Sequence, residues 1–191
     1  MKMNCGNGRS TAVATPLRNT DMGAHRHIFL LAVSAFAVAT LAAKPLINPV
    51  PLVIWNASNS VPIGWYFVSK RQPDLGEIAV IRPPEWVKIY GSARGYLPLQ
   101  TPLLKPVRAI EMSFVCRFGR SVFIDGKLVA KARYLDATHR MLPVWKGCRI
   151  LKSDEIFVLG THRDSFDSRY FGPVDRDQVL GTAVRVADLF T

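Results

Sequence analysis

From Pro49 onward, apolar residues come in short runs broken by proline and glycine, a spacing that predicts strands rather than helices. Val53–Trp55, Trp65–Ser69, Glu77–Ile81 and Val107–Phe114 are β-branched or aromatic runs of strand length. Asp125-Gly126 stands between the alternating segments Ser121–Ile124 and Lys127–Ala130, which predicts a hairpin closed by a type I′ turn. Glu155–Leu159 reads as a short buried strand ended by Gly160, and Val179–Val186 as a last strand interrupted by Gly181. Helical patterning is weak and confined to Pro84–Tyr90 and Val174–Gln178. The expected architecture is mainly β, an antiparallel domain over residues 48–191.

A different pattern precedes it. Residues 1–27 are polar, basic and non-periodic, and are expected to form a tail. Ile28 to Ala43 is uncharged and apolar, about 24 Å long as a helix. Extended through Lys44 to Ile47, with the Lys44 ammonium reaching the headgroups, it approaches the roughly 30 Å of a hydrocarbon core. Residues 28–47 are therefore expected to be a single transmembrane signal-anchor. Lys2, Arg9, Arg18 and Arg26 against one Asp21 orient the tail to the cytoplasm and the domain to the periplasm of a bacterial inner membrane. Cleavage of this segment as a signal peptide is the competing reading, and Thr40-Leu41-Ala42 is a poor small-x-small site for it.

Charge and cysteines sharpen the picture. The formal net charge is +11, mostly on the main domain, and favours anionic partners. No arginine-rich helix or aromatic RNA-binding signature accompanies it, so a membrane surface is expected rather than nucleic acid. Cys5, Cys116 and Cys148 form no C-x-x-C motif, and His25, His27, His139 and His162 are scattered. No metal and no cofactor is expected from such spacing. In an exported domain Cys116 and Cys148 are free to pair, or all three thiols are unrelated.

Three stretches carry candidate chemistry. Asn56-Ala57-Ser58-Asn59-Ser60-Val61-Pro62-Ile63-Gly64 sets a serine before rigid punctuation. Pro62 fixes its own φ and biases Val61 to extended geometry, so the Ser60 hydroxyl is presented in one direction; an ordinary Ser/Pro/Gly turn is the plainer reading. Lys105 is a lone cation in the apolar run Leu103-Leu104-Lys105-Pro106-Val107. Desolvation lowers an ammonium pKa, and a neutral lysine serves as general base to a serine, whereas a strand-edge lysine with its head in water does neither. Gly160–Gly172 is a polar loop directly after a buried strand, where sites tend to lie; an Asp167–Arg169 pair that only shapes the loop is the alternative.

Ser165-Phe166-Asp167-Ser168-Arg169-Tyr170-Phe171-Gly172 resembles the last signature box of the type I signal peptidase family. Ser60-Val61-Pro62-x-Gly64 resembles its nucleophile box, in the short form of the TraF-type conjugative-transfer branch, and Leu103-Leu104-Lys105 with Val107 resembles its lysine box. Pro143–Arg149 with Cys116 is also similar to that branch, and the likeness spans roughly residues 28–186 in the family's order. The resemblance implies Ser60 as nucleophile and Lys105 as general base. It implies an oxyanion hole from the Ser60 N–H, helped by the Ser58 hydroxyl. Ser165 is implied to hold the lysine amine, and Asp167 to act at the site or to support it through Arg169. It also implies a structural Cys116–Cys148 disulfide. His139 and His162 are read as surface residues, since a Ser–Lys enzyme needs no histidine.

The sequence departs from the family at Thr161, where an aspartate is usual, at Pro106 after the lysine, and at Ile110–Ser113, where a Gly-Asp often stands. The expected function is that of a membrane-anchored serine endopeptidase. Its substrate would be an exported precursor protein with small residues at the cleavage site, a conjugative pilin precursor by the TraF-type likeness, with re-ligation into a ring as one outcome. A general leader peptidase is the nearest alternative. An inactive β module of a pilus or secretion assembly, and a charge-driven nucleic-acid binder, come from other classes.

Overall fold

The computed structural model describes residues 27–36, 38 and 52–189. It divides into two compact units, Met1–Pro49 and Val50–Thr191. In the first, residues 27–36 and 38 are helical, with Ile28, Phe29, Leu30, Leu31, Val33 and Phe36 all exposed. Among the described residues no helix is long and apolar enough to cross a membrane. Half of the expected anchor over 28–47, residue 37 and residues 39–47, lies outside the described residues, as do the expected tail before residue 27 and Cys5.

The second unit is built from strands, all paired antiparallel. They are β1 (Val53–Asn56), β2 (Gly64–Ser69), β3 (Ile78–Ile81), β4 (Leu103–Ala109), β5 (Phe114–Phe118), β6 (Ser121–Ile124), β7 (Lys127–Lys131), β8 (Gly147–Ile150), β9 (Glu155–Val158), β10 (Val174–Asp175) and β11 (Val179–Arg185). A 7-stranded sheet runs β1-β2-β11-β3-β4-β9-β10, and a 4-stranded sheet runs β7-β6-β5-β8. The mainly antiparallel β expectation for this unit is met.

Period-2 alternation sorts the large sheet into two faces. Ala79, Ile81, Leu103, Val107, Ile156, Val158 and Val179 pack on one face. Tyr66, Val68, Val80, Leu104 and Ala183 pack on the other, together with Val61 from the loop after β1. Central strand β4 is therefore covered on both sides, and its parity sets Lys105 between Leu103 and Val107. The small sheet joins through Ala109, Val115, Val122, Ile124, Leu151, Phe157 and Leu159. Its β6–β7 hairpin turns at Asp125 (φ 50°) and Gly126 (φ 78°), both left-handed as a type I′ turn requires. Cys116 and Cys148 face each other in the β5–β8 register and are joined by a disulfide.

Local expectations fare unevenly. Pro84–Tyr90 is the start of a helix, α1 (Glu85–Ala93), whose Val87 and Gly91 form the buried stripe. A Cβ at Gly91 would come within 2.7 Å of Leu97 Cδ2, so the glycine lets the next segment lie against the helix. The strand expected over Val107–Phe114 is not one strand. It is the end of β4, a turn with Met112 at φ 67°, and the start of β5. Ser113 N–H donates to Ile110 O at 3.1 Å, closing a turn that the β-branched composition does not announce. Val174–Gln178 is the two-residue strand β10 followed by a 3-10 turn rather than a helix. Gly181 interrupts β11 as a register shift, and a Cβ there would meet Ser69 O at 2.1 Å. β8 is absent from the predicted elements because Gly147–Ile150 is exposed and carries no apolar alternation.

Candidate active site

The loop after β1 is held by one side chain. Asn56 Nδ2 donates to the carbonyls of Ser58 (2.8 Å), Val61 (3.0 Å) and Pro62 (3.1 Å), while its Oδ1 accepts from Ser58 N–H (3.1 Å) and Ser58 Oγ (2.9 Å). Tyr66 Oη, reaching back from β2, donates to Pro62 O at 2.7 Å. The buried amide uses its donors and its acceptor inside a single turn, so the turn has one shape. Ser60 is presented from it, 7% exposed.

Lys105 approaches from β4, 4% exposed. Its Nζ donates to Ser60 Oγ and, at 2.7 Å, to Ser165 Oγ. The two hydroxyls are themselves 3.2 Å apart, closing a triangle of one amine and two serines. Burial lowers the amine pKa from 10.5 to about 8; the Asp167 carboxylate opposes the shift and the Arg169 guanidinium adds to it. A lysine so tuned loses its proton around pH 8 rather than 10.5, and its lone pair then has the Ser60 hydroxyl proton within reach.

The third segment is Gly160–Gly172. Thr161 N–H and Oγ1 both donate to Ser60 O, at 2.9 and 3.2 Å, tying this loop to the Ser60 turn. Gly160 lies where a Cβ would meet Ser165 Oγ at 2.1 Å and Ser60 Cα at 3.3 Å. Asp167 is fully buried. It accepts from Gly160 N–H at 2.8 Å and from Arg169 Nε at 2.8 Å and Nη2 at 3.0 Å, and it caps the short helix α2 (Ser168–Phe171) through Arg169 N–H. Arg169 returns donors to Arg163 O (2.9 Å) and Gly160 O (3.1 Å). This buried pair is bonded on most of its polar atoms, the condition under which burying both charges is tolerable.

Two donors brace α2 from the small sheet. Arg117 Nη1 donates to Arg169 O, and Trp145 Nε1 donates to Ser168 O at 3.0 Å. Arg117 is the neighbour of Cys116, and Trp145 lies just ahead of Cys148, so the disulfide ties the two braces together.

Ser60, Lys105 and Ser165 are thus brought into direct contact. Asp167 and Arg169 lie behind them; among the described residues Asp167 makes no hydrogen bond to Ser60 or Lys105. The Ser58 side chain is exposed and its hydroxyl is engaged by Asn56. His162 and His139 are exposed. Two residues missing from the expected set are Asn56, which fixes the Ser60 turn, and Gly160, which makes room for Ser165. An asparagine opening a polar run before a serine, and a glycine ending a buried strand before the loop, were the available signals.

The triangle lies at the wall of a cleft of about 670 Å³. The run-ins to the two reactive groups, residues 54–60 and 101–105, form its sides, and Leu135, Leu142 and Phe166 add apolar surface. A mostly apolar cleft with a buried serine and lysine at its wall can hold a peptide segment. Among the described residues no cluster of three or more His, Cys, Asp or Glu side chains offers a metal site.

Comparison with known proteins bears on this geometry. The family model described as "Signal peptidase, peptidase S26" matches residues 25–187. A "Probable conjugal transfer protein TraF" from Sinorhizobium fredii is 32% identical over 142 residues, covering 69% of this chain and 74% of that protein. A "Plasmid transfer protein TraF" from Escherichia coli is 28% identical over 142 residues, covering 68% and 79%. A crystal structure of a signal peptidase I from Enterococcus faecalis overlays 60% of this chain and 98% of its own with a TM-score of 0.33 at 20% identity, too loosely to bear on the fold.

Proposed function

The chain belongs to the signal peptidase family, peptidase S26, and from that premise we propose a serine endopeptidase that uses Ser60 and Lys105 on exported precursor proteins. The observation that carries the reading is the buried Lys105 Nζ bonded to both Ser60 Oγ and Ser165 Oγ.

The neutral Lys105 amine accepts the Ser60 proton as Oγ bonds to the scissile carbonyl carbon. The Ser60 backbone N–H faces the developing oxyanion, and the Ser58 hydroxyl joins it after turning away from Asn56. Collapse of the tetrahedral adduct breaks the C–N bond, and the lysine returns its proton to the leaving amine. The acyl-enzyme is then resolved by water, or by an amine of the same substrate, which re-ligates the chain. Ser165 fixes the amine between turnovers, and Asp167 with Arg169 holds the loop that carries Ser165.

The conjugal and plasmid transfer names of the relatives favour a precursor used in conjugation, and the reading takes a pilin as that precursor. A signal-anchor over 28–47 would hold the domain at the inner membrane, cytoplasmic tail inside and domain in the periplasm. An apolar sheet face supports that placement: Trp65 is 55% exposed and packs edge-on to the exposed Trp55 across the β1–β2 register, with Phe67 beside them. Tyr66, between Trp65 and Phe67 in sequence, points into the core instead, because adjacent strand residues face opposite sides.

The deciding experiment is processing of a co-expressed pilin precursor in membranes by wild type, Ser60→Ala and Lys105→Ala. Loss in both variants is expected. Unchanged processing in both overturns the dyad, and processing of unrelated leader-bearing precursors at equal rate points to a general leader peptidase.

A further inference from the structure

A second cavity, of about 630 Å³, is lined by Gly160 and Thr161, the latter bonded to the Ser60 turn. Four cations line it, Arg108 from β4, Lys127 and Lys131 from the β6–β7 hairpin, and Arg163 from the loop, in addition to the paired Arg169. Asp125 is the only acid there. Arg108, Lys127 and Lys131 form no salt bridge among the described residues. Arg163 is only 3.8 Å from Asp164, and that acid is already held at 2.8 Å by Arg133.

Segment 160–165 contributes to both this cavity and the cleft. Residues 160, 161 and 163 face the basic cavity, while His162, Asp164 and Ser165 face the cleft. Thr161 N–H is bonded to Ser60 O, so the basic cavity starts one residue away from the nucleophile. An extended peptide advances about 3.3–3.6 Å per residue. A substrate whose scissile carbonyl sits at Ser60 Oγ, with one flank in the cleft, brings its other flank to these cations within a few residues. The two compartments differ in sign. The carboxylates of the cleft, Asp136 and Asp164, are paired with Arg140 and Arg133, whereas three of the four cations of the basic cavity lack an anion.

We propose that this cavity is a substrate subsite for acidic side chains, so that the enzyme prefers precursors carrying Asp or Glu a few residues from the cleaved bond on the flank that leaves the cleft. The proposal rests on the peptidase reading and adds a charge requirement to it. Each exposed ion pair contributes little by itself, but four converging cations sum to a preference on the order of tenfold at low salt.

The test uses full-length protein in detergent and fluorescent peptides sharing one cleavage sequence, with paired glutamates or glutamines on one flank or the other. Binding is read by anisotropy on Ser60→Ala protein, and turnover on the wild type. On one flank, glutamate is expected to bind about tenfold tighter than glutamine. The gain should shrink as salt rises and vanish in an Arg108→Gln/Lys127→Gln/Lys131→Gln variant that binds the glutamine peptide normally. Equal binding of glutamate and glutamine peptides on both flanks overturns the proposal. So does a preference that survives the triple substitution while binding to phosphatidylglycerol vesicles falls, which assigns the cations to lipid. Binding preference without cleavage of any peptide by the wild type leaves the subsite standing and removes the peptidase reading.

Discussion

Gly160 lies directly against Ser165: a Cβ on the glycine would stand 2.1 Å from the serine Oγ and 2.7 Å from its Cβ. The position therefore decides where the hydroxyl that orients Lys105 can be. Gly160→Ala is expected to keep the fold by circular dichroism and to lower kcat on the order of a hundredfold, by a shift of Ser165 or Ser60 of the ångström scale. Wild-type kcat in the variant would show that the loop yields freely.

Lys105, with its pKa brought down to about 8 by burial, would serve the proposed reaction as a base only when neutral. The kcat/KM of wild type should rise with pH, about tenfold per unit at first, and level off above pH 8. A steady-state profile on a peptide substrate checks this. A flat profile between pH 6 and 9 would contradict a lysine base.

The same burial has a cost in stability. Between about 8 and 10.5 the unfolded chain holds a proton on Lys105 that the folded chain has lost, so wild-type stability rises with pH across that window by about 1.4 kcal/mol per unit. Below it both states are charged and the folded state bears the full burial penalty. Lys105→Met should therefore be inactive yet more stable than wild type at pH 7, by roughly 2–3 kcal/mol. Urea unfolding at pH 7 and pH 10 should show the gap narrowing at the higher pH.

Asp167 and Arg169 neutralise each other out of water. Asp167→Asn leaves a buried guanidinium without its anion and should cost roughly 3–5 kcal/mol, with activity falling as the Gly160–Ser165 loop loosens. Thermal unfolding followed alongside turnover checks both effects.

The disulfide closes a 32-residue separation. Cys116→Ser/Cys148→Ser should lose about 3–4 kcal/mol in the chain-entropy account. Because Arg117 on β5 and Trp145 just before β8 brace α2, kcat should also fall at temperatures where the variant remains folded. Turnover per folded molecule, measured against wild type below both melting transitions, separates the two losses.

Much of this molecule is legible in its sequence, and the limits are physical. The β6–β7 hairpin is readable because Asp125-Gly126 has a local conformational reason to turn. The turn at Met112 is not, since its left-handed residue has no side-chain preference for that geometry and is fixed by Met112 N–H bonding to Leu151 O, a distant partner. Lys105 stands out as a charge inside an apolar run, and that run is a doubly covered central strand. Asn56 is hidden because its role is to bond carbonyls two to six residues ahead, and any polar residue looks alike there. The basic cavity is invisible in sequence: its cations come from β4, a hairpin and a loop that only tertiary folding assembles.

Strand order carries one more consequence. The Ser60 turn joins β1 to β2, Lys105 is on β4 beside β3, and the strand laid between β2 and β3 is β11, at Val179–Arg185 near the end of the chain. While the polypeptide is still emerging from the ribosome, the nucleophile hairpin and the lysine hairpin have nothing to join them side by side. The site is thus unarmed until β11 is laid in, and replacing Val179–Arg185 with a flexible stretch of equal length should disarm it without touching a single reactive group.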